Sequence, residues 1–307
     1  MKKKISVSVG IPAYNEEDNI GLLLKEVLEQ EEKDFVFREI LIVSDGSNDK
    51  TVEEAKKVSD PRIKIFDNKT RQGKASRLNE IFNMADGELL VLFDADIQII
   101  STKTIYNLVS VYKENPNTGL LCGNAIPAKG ESMVQKAVAS SVAGYDLFRR
   151  EWHKGNNIYS CKGPLMALAR NFYLQASIPI DVFGNDAYIY LLSKSLGFGF
   201  KFVESAPVGY RLPSTFYDQV KQNQRFISSR RRLRKYFEEA LINREYAAPK
   251  IKVYKALLKQ FLKSPFYSLL IFLINFYCRL ALRFTNKGVE TKWIVIKTTK
   301  GGFRTNG

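Results

Sequence analysis

Through the first 125 residues, short apolar runs alternate with segments whose apolar positions recur every three or four residues, and the two periods predict strands and helices in turn. Strands are expected at 5–11, 39–43, 63–66, 89–93 and 119–123. Helices are expected at 18–30, 51–58, 74–84 and 103–114. The first helix shows its inward face in Ile20, Leu22, Leu23, Leu24, Val27 and Leu28. This order is that of βαβ units, a sheet with helices on its faces. A helical pattern returns at 134–150, a glycine turn and short strand follow at 161–170, and a helix at 187–196 closes at Gly197, as a C-terminal glycine should. Beyond Pro213 the pattern becomes long basic helices, and Trp293, Ile294, Val295 and Ile296 suggest a terminal strand at 291–298.

Composition narrows the class. With 307 residues and 45% hydrophobic content, the chain can bury one large core or a core plus an appendage. Cys122, Cys161 and Cys278 lie far apart and His153 is the single histidine, which excludes a thiolate-histidine zinc centre and a disulfide framework. A reducing, cytosolic setting is expected, and Met1-Lys2-Lys3-Lys4 does not read as a signal peptide.

The net charge of +15 is concentrated between 225 and 263, where 12 Lys and Arg face 3 Glu. Such a cluster suits either of two phosphate surfaces, nucleic acid or anionic lipid. An uncharged stretch at 264–278, bounded by Lys263 and Arg279, favours lipid over nucleic acid. At 15 residues, interrupted by Asn275, it is short of the roughly 20 apolar positions a spanning helix needs. A helix lying in the membrane plane or partly inserted is expected; the alternative is a helix packed on the catalytic domain. With Pro249 and Pro265 as hinges, the expected organisation is a catalytic region at 1–230 (a nucleotide half at 1–97, an acceptor half at 98–230) and a basic, membrane-facing region at 231–307.

The chemistry concentrates at strand ends. Asp94-Ala95-Asp96 follows the apolar run 89–93, so two carboxylates leave a buried strand at its carboxyl end, where open α/β sheets place their ligand crevices. Paired acids there suit Mn²⁺ or Mg²⁺, which take one or two carboxylates and complete their shells with substrate phosphates and water. Taken alone, such a pair equally caps helices or fills turns. The first strand ends in Pro12-Ala13-Tyr14-Asn15-Glu16 and the second in Ser44-Asp45-Gly46-Ser47-Asn48-Asp49, so three acid-bearing tips can line one sheet edge.

This arrangement resembles the inverting family 2 glycosyltransferases of GT-A fold, a Rossmann-like mixed sheet flanked by helices. The resemblance continues through residues 71–79, Gly163-Pro164-Leu165, Gly184-Asn185-Asp186 and Gln222-Asn223-Gln224-Arg225-Phe226, covering about 5–230. It implies a nucleotide-sugar donor, UDP-linked by expectation. Pro12 and Tyr14 would then lie at the nucleobase, Glu16 at the ribose, Asp94 at the ribose or uridine side, Asp45 at the base edge, Lys74 near the nucleotide and Asp96 on the metal. Without the resemblance, Tyr14 reads as a packed edge tyrosine, Asp45 as a helix cap and Lys74 as a surface lysine. Asp186 is the candidate base for the acceptor hydroxyl, in a position where a helix N-cap is equally at home. Many relatives have Glu-Asp there; this chain has Asn185-Asp186.

Gly163, Gln222, Arg225 and Phe226 are expected at the acceptor or the diphosphate. Phe226 replaces the tryptophan of the family's Q-x-x-R-W motif, which keeps a ring but removes an N–H donor. The motif implies a polymerising or lipid-linked acceptor at the cytoplasmic face of the membrane, as in polysaccharide or cell-envelope synthesis. Two other readings compete: a nucleotidyltransferase, disfavoured by the lack of a glycine-rich phosphate loop, and a non-catalytic membrane-surface or nucleic-acid-binding protein built on a relic domain.

Overall fold

The computed structural model describes residues 4–284 and 296–303. In chain order the first half runs β1 (Ile5–Ala13), α1 (Ile20–Leu28), β2 (Phe35–Asp45), α2 (Thr51–Lys56), β3 (Ile63–Asn68), α3 (Lys74–Met84), β4 (Leu89–Phe93), β5 (Ile97–Ile99) and α4 (Thr104–Glu114). There follow β6 (Thr118–Pro127), α5 (Met133–Glu151), β7 (Leu165–Ala169), α6 (Arg170–Tyr173), α7 (Asn185–Ser195) and β8 (Gly199–Tyr210). Helices α8 (Phe216–Leu233), α9 (Glu239–Glu245), α10 (Lys250–Lys263) and α11 (Pro265–Phe284) complete the described chain, with a short 3₁₀ turn at Lys297–Thr299.

One mixed sheet holds all eight strands in the order β3-β2-β1-β4-β7-β6-β8-β5. The β3-β2-β1-β4 part is parallel, which places the ends of β1, β2 and β4 side by side. Parallel strands are covered on both faces, and β4 is accordingly buried at every position. Alternate residues divide the core. Val7, Val9, Ile11, Val91 and Phe93 pack with α1 and α4 residues such as Leu23, Leu24, Leu108 and Val109. Leu41, Val43, Leu90 and Leu92 pack with Leu78, Ile81 and Phe82 of α3 and Ile189 and Leu191 of α7.

Strand β7 runs antiparallel to both β4 and β6, so the Gly163-Pro164 turn before it arrives at the end of β4, where the Asp94 amide donates to Pro164 O at 3.3 Å. Between Gly123 and Asn124 the β6–β8 register shifts, a bulge that bends both strands. A Cβ on Gly123 would meet Ala206 O at 2.6 Å, so the bend admits only glycine there. Beyond it, Val208–Tyr210 pair with β5, which begins directly after the Asp94–Asp96 turn.

Strands β5 and β8 go beyond the expected set. Of the expected terminal strand, 291–295 lie outside the described residues and Lys297–Thr299 form a 3₁₀ turn. Pro249 and Pro265 stand at the starts of α10 and α11, helix-opening positions that suit a residue without an N–H. Helix α8 continues through position 230 to Leu233. Both α10 and α11 pack on α5, and α11 also on α8. Among the described residues no helix is long and apolar enough to cross a membrane.

Candidate active site

A cavity of about 710 Å³ opens at the carboxyl ends of β1 and β4 and extends between α5, α8 and α11. Pro12, Glu16, Lys74, Asp94, Asp96, Gly163, Asp186, Gln222, Arg225 and Phe226 all line it, and Gly163 stands beside Asp94 and Lys74. Tyr14 and Asp45 are not among the lining residues.

At the strand tips each acid is set by its own surroundings. Glu16 is 5% exposed and accepts from Asn19 Nδ2 at 2.9 Å. Burial, then the Asp96 charge, pushes its carboxyl up to about 7, with Lys300 pulling the other way. Asp96 is likewise raised above the usual carboxylate range, by burial first and by Asp94 second. Asp94 forms an ion pair with Lys74, the first residue of α3. A Cβ on Gly163 would lie 3.4 Å from Asp94 Oδ2 and 3.8 Å from Lys74 Nζ, so this glycine keeps open the space beside the pair.

Asp45 is fully buried at the end of β2. Its carboxylate accepts from the amides of Gln72 and Gly73, at 2.8 and 2.9 Å, and from Arg77 Nε at 2.8 Å. It thereby fixes the loop that turns through Gly73, at φ 98°, into α3. The Arg71 guanidinium lies 4.1 Å from the ring centroid of Tyr14, two residues before Glu16.

Asp186 is the second residue of α7, whose N-cap position falls on Gly184; its Oδ1 accepts from the Ala187 amide at 2.9 Å, and it lines the cavity. Gly184, just before it, is pressed by Ser229 of α8; a Cβ there would meet Ser229 Oγ at 2.3 Å. The buried Asn185 Oδ1 has no hydrogen-bond partner. On α8, Arg225 lies 5.8 Å from the ring centroid of Phe226, which is more than half exposed.

Several lining groups carry no local signal in the sequence. Arg149, 1% exposed on α5, is paired with Asp146, donates to Ser160 Oγ at 3.3 Å and leaves Nη2 buried without a partner. Lys162 reaches the same Asp146 at 3.4 Å, and burial lowers its pKa. Arg211 follows β8, and Lys300 arrives from the far end of the sequence. Trp152 packs with Phe148 and Ala256 and is not among the lining residues.

No three His, Cys, Asp or Glu side chains among the described residues form a metal centre by themselves. The adjacent carboxylates Asp94 and Asp96 do fit a hard cation that draws its remaining ligands from phosphate and water; burial first and the Asp94 charge second raise Asp96, and a bound cation would oppose both.

The sequence profile of Glycosyl transferase family 2 matches residues 8–178. An undecaprenyl-phosphate 4-deoxy-4-formamido-L-arabinose transferase of Proteus mirabilis is 26% identical over 210 residues, 60% of this chain and 63% of that protein. A poly-beta-1,6-N-acetyl-D-glucosamine synthase of Staphylococcus epidermidis is 35% identical over 121 residues, 38% of this chain and 28% of that protein. The chain thus spans less than two thirds of the length of these curated relatives. Among solved structures, mannosyltransferase PcManGT from Pyrobaculum calidifontis, in complex with GDP-Man and Mn²⁺, has a TM-score of 0.62 at 18% identity, covering 93% of this chain and 82% of its own. Glucosyl-3-phosphoglycerate synthase from Mycobacterium tuberculosis, with Mn²⁺, UDP and phosphoglyceric acid, has a TM-score of 0.51 at 17% identity over 73% of this chain and 77% of its own. Likeness at this identity establishes the GT-A fold.

Proposed function

Since the chain belongs to glycosyl transferase family 2, we propose that it is a metal-dependent, inverting glycosyltransferase, moving a sugar from a nucleotide-diphosphate donor, UDP-linked in the first instance, to a lipid-linked acceptor at a membrane surface. The observation that carries this reading is that one cavity brings together Glu16, Asp94, Asp96 and Asp186, acids borne by separate elements of the fold. Asp96, with Asp94 beside it, would hold Mn²⁺ or Mg²⁺, and the bound ion neutralises charge on the departing diphosphate.

The chain's own groups supply the rest. Tyr14 and Arg71 form a flat rim for the nucleobase, Glu16 accepts from ribose hydroxyls, and Asp45 acts at one remove by fixing the Gln72–Gly73 loop. Asp186 takes the proton of the acceptor hydroxyl as its oxygen attacks the anomeric carbon from the face opposite the diphosphate, which inverts that centre. Gln222, Arg225 and Phe226 line the path of the incoming sugar. Between glycan and lipid-linked acceptors, the buried pair Arg149 and Lys162 favours the second, because one Asp146 offsets only one of two cations and leaves room for a phosphate.

The C-terminal helices support the same choice. Ile251, Tyr254, Leu258 and Leu262 of α10 are exposed at 70, 69, 60 and 72%, a helical row, and Phe266, Leu269, Phe272, Leu273 and Phe276 extend it along α11. Lys250, Lys252, Lys255, Lys259 and Lys263 share α10 with them. Exposed apolar rows among lysines suit an anionic bilayer surface, entered in the plane. The domain division at about 230 remains part of this proposal.

The test is a screen of sugar nucleotides for released nucleoside diphosphate, with polyprenyl-linked acceptors in anionic vesicles or soluble glycans. Melting should rise with UDP and Mn²⁺ and return to baseline with EDTA. Absence of any nucleotide effect would favour the scaffold alternative, and sedimentation with nucleic acid but not with vesicles would reassign the basic helices.

A further inference from the structure

The segment 296–303 lies across the donor end of the cavity and is tied down along its length. Thr298 donates from its amide and Oγ1 to Asp218 Oδ2 on α8, at 3.1 and 2.8 Å, and its Oγ1 accepts from the Ser214 amide. Arg211 donates to Thr299 O at 3.2 Å and stacks 3.8 Å from the Phe303 ring centroid. Asn19 Nδ2 bonds Lys300 O at 2.7 Å while also holding Glu16. The Lys300 ammonium then reaches into the site, donating to Tyr14 O, to Asn15 O at 3.2 Å and to the Glu16 carboxylate.

Two features point to a ligand. Arg211 Nη2 is buried under this segment without a hydrogen-bond partner, although the residue lines the cavity. Acidic and basic side chains also match in number: Glu16, Asp94 and Asp96 line the cavity with Lys74, Arg211 and Lys300. A balanced cluster does not favour a lone anion or a lone cation; it accepts a divalent ion together with a diphosphate, whose charges nearly cancel.

We propose that 296–303 is a strap forming one wall of the donor site, and that Lys300 and Arg211 bind the diphosphate of the nucleotide donor. The inference rests on the donor reading above and adds to it two ligand-binding residues, one of them on a segment lying more than 280 residues from β1. Thr298, further from the ligand, is a positioning residue that sets the strap against α8.

Calorimetric titration of the full chain with UDP and UMP, and with GDP and GMP, in Mn²⁺ tests it. The extra phosphate should account for the effect: Lys300→Ala should weaken the diphosphate about tenfold or more and the monophosphate much less. Lys300→Arg should restore most of the difference, and Thr298→Val should show a smaller loss of the same kind. Lys57→Ala, on an exposed pair remote from the site, should match the parent. Equal losses for mono- and diphosphate, no loss, or tighter binding in Lys300→Ala would each overturn the proposal, the last by showing the lysine to be a plug. A parent protein that binds no nucleotide overturns the donor reading instead, so the two failures are distinct.

Discussion

Lys74 and Asp94 form an ion pair beside Gly163, whose lack of a side chain leaves space next to it. A Cβ added there would meet contacts of 3.4 and 3.8 Å, so the fold should tolerate it while the space beside the pair narrows. Gly163→Ala is expected to keep its melting temperature within a few degrees and to raise the donor KM about tenfold. Steady-state kinetics alongside thermal melts would check this; an unaffected KM would show that the donor does not use this space.

Asp186→Asn keeps the size of the side chain and removes the base. Its kcat is expected to fall about 10² to 10⁴-fold with nucleotide affinity preserved. Near-parental turnover would mean that Asp186 only braces the first turn of α7.

Asp45→Ala should act through stability. Arg77, 3% exposed, would lose its buried partner while keeping Glu80 and Thr70 O, and the Gln72 and Gly73 amides would lose their acceptor. A loss of roughly 3 kcal/mol is expected in urea unfolding. A variant as stable as the parent would remove Asp45 from its bracing role.

The pH dependence follows from Glu16. Its folded value of about 7 stands above the ordinary 4.5, so between these values the folded chain holds a proton that the unfolded chain has released. The stabilisation is therefore complete below about 4.5 and is lost as pH rises through about 7, a change on the order of 3 kcal/mol. Melting of the nucleotide-free protein from pH 5 to 8 should fall more steeply than that of Glu16→Gln. Parallel curves would contradict the assignment.

Leu258→Asp combined with Phe272→Asp places charge on the exposed rows of α10 and α11 without touching the cavity lining. Co-sedimentation with anionic vesicles should drop at least tenfold while soluble donor binding stays level. Equal sedimentation would move the membrane contact elsewhere.

Legibility in the sequence followed locality. Helix α3 falls at the expected 74–84, and Gly197, at φ 80°, ends the helix it was expected to end. Strand β2 begins at Phe35, earlier than expected, because exposed Val36 and Arg38 alternate with buried neighbours ahead of the continuous run. Strand β8 escaped notice because Lys201, Glu204 and Ser205 interrupt its apolar positions, and its pairing is with distant β6 and β5. Among site residues, Glu16, Asp94 and Asp96 were readable from strand tips, whereas Arg149 and Lys162 meet at Asp146 only after folding. Lys300 has no pattern in its own neighbourhood that would place it beside Glu16.

The eight strands are hydrogen-bonded without a break from β3 to β5, and β7 joins the β3-β2-β1-β4 part to β6, β8 and β5 in the middle of that array. A chassis of this kind cannot work like a pair of jaws, since swinging one half from the other would tear backbone ladders. Entry and exit of reactants must then be governed by peripheral pieces, with the overall dimensions nearly constant, and small-angle scattering should give superimposable curves with and without nucleotide.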